Sequence, residues 1–325
     1  MQKSIAKINL GAIERNARYL KKLAGGAQFM AVVKADAYGH GAIQVARRLS
    51  HIADCFCVAI VDEGVELRAA GISAPVLVLT PPMDMDDCVR MAAYDLTATV
   101  ADAKSARLSR GLNVHIKINT GMNRYGCVPT KLKDLMAQLQ DCNVCGVYSH
   151  IYAPQSQKIR EEQLAVFRAC AKVVKDKYPS SVAHISATAG TLLGGDFIMD
   201  GVRCGIGLYG YAPQGFKDDN LAPALRVYAR RVQTFEPPFG GGVGYTAAQK
   251  QYKRLSSYRA GYAEGFARTC PLGEGNLCMD AFVSQDGADE ICIFSDADIY
   301  AQKTGTISYE VLCSVTKRSL RIYEG

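Results

Sequence analysis

The sequence predicts an α/β fold: a (β/α)8 TIM-like barrel followed by a smaller, mostly β C-terminal domain. Three observations predict it. Eight short apolar, β-rich runs recur between residues 28 and 210, helix-period segments separate most of them, and after about residue 223 the alternation stops. The expected boundaries are 9–223 for the barrel and 224–325 for the β domain, with residues 1–8 a candidate addition to the latter.

The runs are, in order, "QFMAVV" (28–33), "FCVAI" (56–60), "VLVL" (76–79), "LTATV" (96–100), "NVHIKI" (113–118), "VCGVYSH" (144–150), "VAHIS" (182–186) and "CGIGLYG" (204–210). Each is short, continuous and partly β-branched, which suits a strand buried on both faces. Between them, "AIQVARRL", "DEGVELRAAG", "MDDCVRMAA", "TKLKDLMAQL" and "KIREEQLAVFRACAKVVK" carry apolar residues three and four apart, the period of an amphipathic helix. Strand alternating with helix implies a parallel sheet. Eight units exceed the roughly six strands of a doubly wound sheet and match a closed barrel. Beyond residue 223 come Arg- and Tyr-bearing β-like segments and the turn-rich "EPPFGGGVG", with no long amphipathic helix.

Composition narrows the function. With 49% hydrophobic and 21% charged residues over 325 positions, the chain is neither disordered nor fibrous. Its formal charge of +7 comes from scattered basic residues rather than a run, which fits an anionic small ligand better than nucleic acid. Twelve cysteines are too dilute for a disulfide scaffold, and no secretory segment opens the chain, so a reducing cytoplasm is expected. Cys142 and Cys145 form a CxxC without a matching second pair, so no metal is expected. No stretch reaches the ~18 apolar residues of a membrane span.

A barrel builds its active site from the carboxyl ends of its strands. That rule collects Lys34 and Tyr38 after the first strand, Asn119 to Arg124 after the fifth, His150 after the sixth, Thr188 after the seventh, and Arg203 with Gly205 beside the eighth. A strand-end lysine can simply snorkel to solvent. In a partly desolvated pocket its pKa instead falls, and the neutral amine can form a Schiff base with an aldehyde cofactor such as pyridoxal 5'-phosphate. Backbone N–H groups of "RCGIG" (203–207) with the hydroxyls of Thr188 and Tyr38 would serve the phosphate.

"AVVKADAYGHG", "IKINTGMNRYG", "GVRCGIGLYG", "GVGYT", "AGYAEGF", "CMD" and "GTISYEVLC", in that order, resemble the alanine racemase family along the whole chain. The resemblance implies a pyridoxal-phosphate barrel and a β domain joined head to tail in a homodimer with shared active sites. Lys34 would then carry the cofactor and act as one catalytic base, and Tyr245 from the partner chain as the other. Tyr38, Thr188, Gly205, Ile206 and Tyr309 match phosphate-binding positions, and Arg203 the residue facing the pyridine nitrogen. His150 matches a link between Arg203 and the tyrosine base. Arg124 matches the residue that steers the substrate carboxylate, Met279 and Tyr262 match substrate-binding positions, and Lys117 matches a lysine carbamylated in many members.

Three positions depart from the pattern: Asn119 replaces a common Asp, Gly244 replaces a common Ser, and the usual proline near the end is missing. The segments after the CMD motif and after His150 are also short. The implied activity is interconversion of L- and D-alanine, feeding cell-wall precursors. A serine racemase of the vancomycin-resistance type and a non-catalytic pyridoxal-phosphate carrier are the rivals; Tyr309 favours alanine over serine, and the second domain with Tyr245 argues against a carrier.

Overall fold

The computed structural model describes residues 4–238, 241–247, 251–269 and 272–325. Phe239 and Gly240 of the "EPPFGGGVG" turn lie outside the described residues. The chain divides into two compact units: Ile13–Ala37 with Gly41–Ala222, and Met1–Ala12 with Tyr38–His40 and Pro223–Gly325.

In the second of these units, β1 (Ile5–Asn9) is an interior strand. The first helix, α1 (Leu10–Leu23), follows it directly and turns Ile13, Ala17 and Leu20 inward at helical spacing. The barrel occupies the first unit. Its strands are β2 (Gln28–Val32), β3 (Cys55–Val58), β4 (Val76–Val78), β5 (Ala98–Val100), β6 (Asn113–Lys117), β7 (Asn143–Tyr148), β8 (Val182–His184) and β9 (Gly201–Cys204). They pair in parallel in two runs, β4-β3-β2-β9 and β5-β6-β7-β8. Leu77 bridges Thr97 at one seam, and Arg203 N donates to Ser186 O at 2.9 Å across the other, so the eight strands close. Phe29, Phe56, Phe167, Tyr148 and Tyr209 are all but fully buried in this unit.

The helices between the strands are α2 (Ala42–Leu49), α3 (Val61–Ala69), α4 (Met85–Ala93), α5 (Ala103–Leu108), α6 (Leu132–Met136), α7 (Gln157–Lys177) and α8 (Thr188–Leu193). Aspartates cap two of them: Asp84 Oδ1 accepts from Asp87 N at 3.0 Å and Asp102 Oδ1 from Ser105 N at 2.8 Å.

One strand sits differently from the sequence expectation. The eighth is Gly201–Cys204, and most of "CGIGLYG" is a 3-10 turn, Ile206–Tyr209, ended by Gly210 at φ 95°. Glycines leave a strand with no side chains to pack, whereas the preceding "GVRC" carries the β-branched Val202 into the core.

The other unit is built on a six-stranded sheet in which β1 lies between β10 (Leu225–Phe235), antiparallel, and the parallel C-terminal strand Leu320–Glu324. A two-residue hairpin joins β11 (Gly242–Val243) to β12 (Thr246–Ala247), with Gly244 and Tyr245 at its tip. Gly244 adopts φ 56°, in the left-handed region that glycine enters freely and that such a two-residue turn uses. This unit also holds α9 (Ala297–Thr304) and α10 (Ser308–Val315), eight-residue helices that the β-like texture of the sequence did not predict. Each spans only about two turns, too short for the period to stand out.

Candidate active site

Lys34 follows β2, whose ladder runs on to Val33, with Val33 N donating to Cys57 O at 2.9 Å. After the lysine the chain makes a left-handed turn: Ala35, Asp36, Ala37 and Tyr38 have φ between 52° and 53°. Left-handed backbone costs about 1–2 kcal/mol per residue for any side chain but glycine. Local hydrogen bonds offset that cost. Asp36 accepts from Gly41 N through its carbonyl at 2.9 Å and from Ala42 N through Oδ1 at 2.7 Å, and Ala35 N donates to Glu63 Oε1 at 2.6 Å. Gly39 then passes so close to α10 that a Cβ would meet Leu312 O at 2.3 Å. Tyr38 and Tyr309 come together there, with ring centroids 6.0 Å apart.

Arg203 on β9 is 4% exposed and surrounded by acceptors. It donates to His184 Nδ1 at 2.6 Å, His184 O at 3.0 Å and Ser149 O at 2.6 Å. A guanidinium only donates, so His184 Nδ1 carries no proton. His184 Nε2 therefore bears the hydrogen and donates to His115 Nδ1 at 2.8 Å. Burial, then the Arg203 charge, pushes His115 down to about 3 and holds His184 well below the usual imidazole range. Both rings are neutral links. The Tyr148 ring stacks on His184 with centroids 5.0 Å apart and planes 4° apart, and burial pushes its phenol up to about 12. Arg203's hydrogen bonds thus run to His184 and to backbone carbonyls, with no bond to the expected partner His150.

Lys117 ends β6 with its ammonium 4.3 Å from the centre of the Tyr148 ring. Burial first, then Arg203, Arg124 and Lys34, drive its pKa well below the usual lysine value. His150 is lowered by burial and by the same neighbourhood: Arg203, Lys117, Arg124 and Lys34. Lys34, Lys117, Arg124 and Arg203 thus act together on His150, and Lys34, Arg124 and Arg203 on Lys117.

Arg124 stands on the loop after β6. Among the described residues it makes no hydrogen bond or ion pair, its guanidinium carbon lying 5.8 Å from the Tyr125 ring centre. Beside it opens a cavity of about 380 Å³ bordered by Asn119, Asn123 and Asp102. Asn119 fixes the loop: its Oδ1 accepts from Gly121 N at 3.0 Å and Asn123 N at 3.1 Å, while its Nδ2 donates to Asn123 Oδ1 at 3.0 Å. The third bond needs an amide, so Asn in place of Asp closes the loop and keeps a negative charge away from Arg124.

Thr188 opens α8 and its Oγ1 accepts from Gly207 N at 3.2 Å, beside Gly205 and Ile206 at the start of the 3-10 turn. In the β-rich unit, Tyr262 N donates to Cys278 O at 3.1 Å and Ala263 N to Met279 O at 2.8 Å, which holds Tyr262 and Met279 side by side. The Gly244 hairpin packs on the same segment, since a Cβ there would lie 3.3 Å from Cys278 Sγ. Tyr245, Tyr262 and Met279 are gathered on this unit and all exposed, Tyr245 most of all at 77%. Sequence reasoning missed His115, His184, Tyr148 and Glu63; the signal for the first three was their place in or at the ends of the barrel strands.

The structure joins a closed eight-stranded barrel to a second, β-rich unit, with Lys34 leaving the first barrel strand. The family model for the alanine racemase N-terminal domain matches residues 8–213. An alanine racemase from Cutibacterium acnes is 32% identical over 369 residues, covering 99% of this chain and 98% of that protein. One from Carboxydothermus hydrogenoformans is 33% identical over 373 residues, covering 98% of each. The solved alanine racemase of Clostridium difficile matches with a TM-score of 0.91 at 27% identity, covering 100% of this chain and 96% of that one. The chain belongs to the alanine racemase family. Its reaction is that of alanine racemase rather than of the serine-directed or carrier rivals, and enzymes of the family depend on pyridoxal phosphate. The first alignment spans 369 positions against 325 residues here, so this is a compact member lacking segments its relative has.

Proposed function

We propose that Lys34 binds pyridoxal phosphate and that Lys34 and Tyr245 exchange the α-proton of alanine from opposite faces, Tyr245 being supplied by a second copy of the chain. The observation that supports this most is the cluster of Lys34, Lys117, Arg124 and Arg203 around His150. Such a donor set suits an aldehyde bearing a phosphate together with a substrate bearing a carboxylate. When bound, the cofactor supplies an electron sink that acidifies the α-carbon. Tyr38, Thr188, Tyr309 and the backbone at Gly205 and Ile206 are the residues for its phosphate.

The protein's own groups do the rest. Arg203 offers the ring nitrogen an N–H and cannot surrender that proton at neutral pH, so the sink is deliberately weak and side reactions are restrained. The neutral His184–His115 pair holds its guanidinium in place. Arg124 orients the substrate carboxylate, Tyr262 and Met279 line the substrate's side, and His150, on which Arg203 acts through charge rather than a hydrogen bond, is the group nearest in role to the partner's tyrosine base. None of the eleven described cysteines forms a disulfide, which accords with a cytoplasmic enzyme making D-alanine for cell-wall precursors.

Incubation of the purified enzyme with L-alanine and L-serine separately, followed by chiral separation, tests the reading; D-alanine is expected to dominate, and faster D-serine formation would overturn it. In the same assay Arg124→Ala is expected to raise KM for alanine about 10- to 100-fold, because a charged Arg–carboxylate contact contributes on the order of 1.5–3 kcal/mol. An unchanged KM would remove Arg124 from the carboxylate site.

Lys117 leads to a separate expectation. A buried ammonium facing three other cations is unfavourable, and its neutral amine can add carbon dioxide, forming an N–C bond and releasing one N–H proton to solvent, to give a carbamate anion that pairs with Arg124. A peptide containing Lys117 should carry the added mass under native, bicarbonate-containing conditions. A bare lysine in a fully active enzyme would end the idea.

A further inference from the structure

The left-handed turn after Lys34 is tied to the next barrel unit by a side chain that none of the matched motifs contains. Glu63, in the first turn of α3, accepts from Ala35 N through Oε1 at 2.6 Å and from Ala59 N through Oε2 at 2.6 Å, with Ile60 N at 3.4 Å. Ala35 is the residue directly after Lys34 and the first of the left-handed run. One carboxylate thus joins the backbone that aims the lysine to the end of the neighbouring strand, and caps α3 with the same oxygen that serves Ala59.

From this geometry we infer that Glu63 is a positioning residue for Lys34: it fixes the direction of the lysine side chain by clamping Ala35 N to the β3–α3 corner. The inference rests on the reading that Lys34 is the cofactor lysine and proton carrier. Both carboxylate oxygens are needed, because each meets N–H donors. Glutamine can keep an oxygen toward only one of the two sides and turns an NH2 donor against the donors of the other. Releasing Ala35 N frees the turn to relax toward ordinary backbone, and the amine then swings relative to the strand end. Proton transfer suffers more than capture of the substrate, since the carboxylate contact lies on the separate loop of Arg124 and a base must sit within hydrogen-bond reach of the proton it takes.

The test is Glu63→Gln in the cofactor-loaded enzyme, with Glu63→Ala as a stronger second variant. Expected are a kcat at least about tenfold lower in both directions with KM for alanine within about twofold of native, the signature of a group that acts on the transition state. Hydrogen exchange of the peptide spanning residues 34–38 should be about tenfold faster. The pH midpoint of the visible absorbance band should also move, which a helix cap alone would not cause. Unchanged kcat and unchanged band midpoint, or a loss confined to thermal stability or to KM, would overturn the inference. Borohydride reduction followed by peptide mapping checks the underlying reading on its own: a label on a lysine other than Lys34 refutes that reading, whereas a label on Lys34 with native exchange and kcat refutes only the clamp.

Discussion

Replacing Lys34 with alanine is expected to abolish both the visible absorbance of the cofactor-loaded enzyme and its racemase activity. On the proposed reading two functions fall on one amine: it holds the aldehyde, and it exchanges the proton on one face. Losing the acid–base role alone costs ~10²–10⁴-fold, and losing the covalent anchor adds to that. Free amines added to the variant can restore some turnover by standing in for the missing group. The decisive measurement is borohydride reduction and peptide mapping of the native enzyme beside the variant. A labelled peptide that persists in Lys34→Ala, or a visible band of native strength, would place the cofactor on another lysine. The variant also relieves repulsion within the cation cluster, because Lys34 is among the charges that lower Lys117. The neutral fraction of Lys117, and with it the added mass expected there, should therefore fall.

Barrel strands were legible because burial on both faces writes them as continuous apolar runs, and β2 through β8 begin within two residues of the runs read from the sequence. The eighth was misplaced because a glycine-rich turn imitates an apolar run when hydropathy alone is read; the true strand, "GVRC", hides an arginine in the core. That arginine is tolerated only because three carbonyls and a neutral histidine accept its protons. Sequence position brought Lys34, Arg124, His150, Thr188 and Arg203 to one end of the barrel, since strand ends are countable. It did not yield the His115–His184 pair, which depends on facing side chains from two strands 69 residues apart. Nor could it yield Glu63, whose carboxylate reads as an ordinary helix cap until the left-handed turn at Ala35 is seen. The short helices α9 and α10, with Tyr309 on the second, escaped for want of a full amphipathic period.

The second large effect concerns whose tyrosine serves which lysine. Two bases on opposite faces of one α-carbon cannot come from the same strand end, and the proposed mechanism assigns one face to Lys34. Tyr245 sits at the tip of a two-residue hairpin and is 77% exposed, so its own unit leaves the phenol uncovered. To accept a proton at neutral pH a phenol must lie where cations favour the phenolate, as Arg124 and Arg203 would in a second copy. If so, Lys34→Ala and Tyr245→Phe each abolish activity alone, yet a mixed dimer holds one site with neither base and one with both. Random exchange of equal amounts makes half of the dimers mixed, so about a quarter of the native activity should return. The measurement is activity against time after mixing under exchanging conditions, with the mixed species confirmed by differential tagging. Recovery should follow the appearance of that species and stop at that fraction. Confirmed mixed dimers without activity, or a wild-type monomer that racemises alanine at the full rate, would show that both bases belong to one chain.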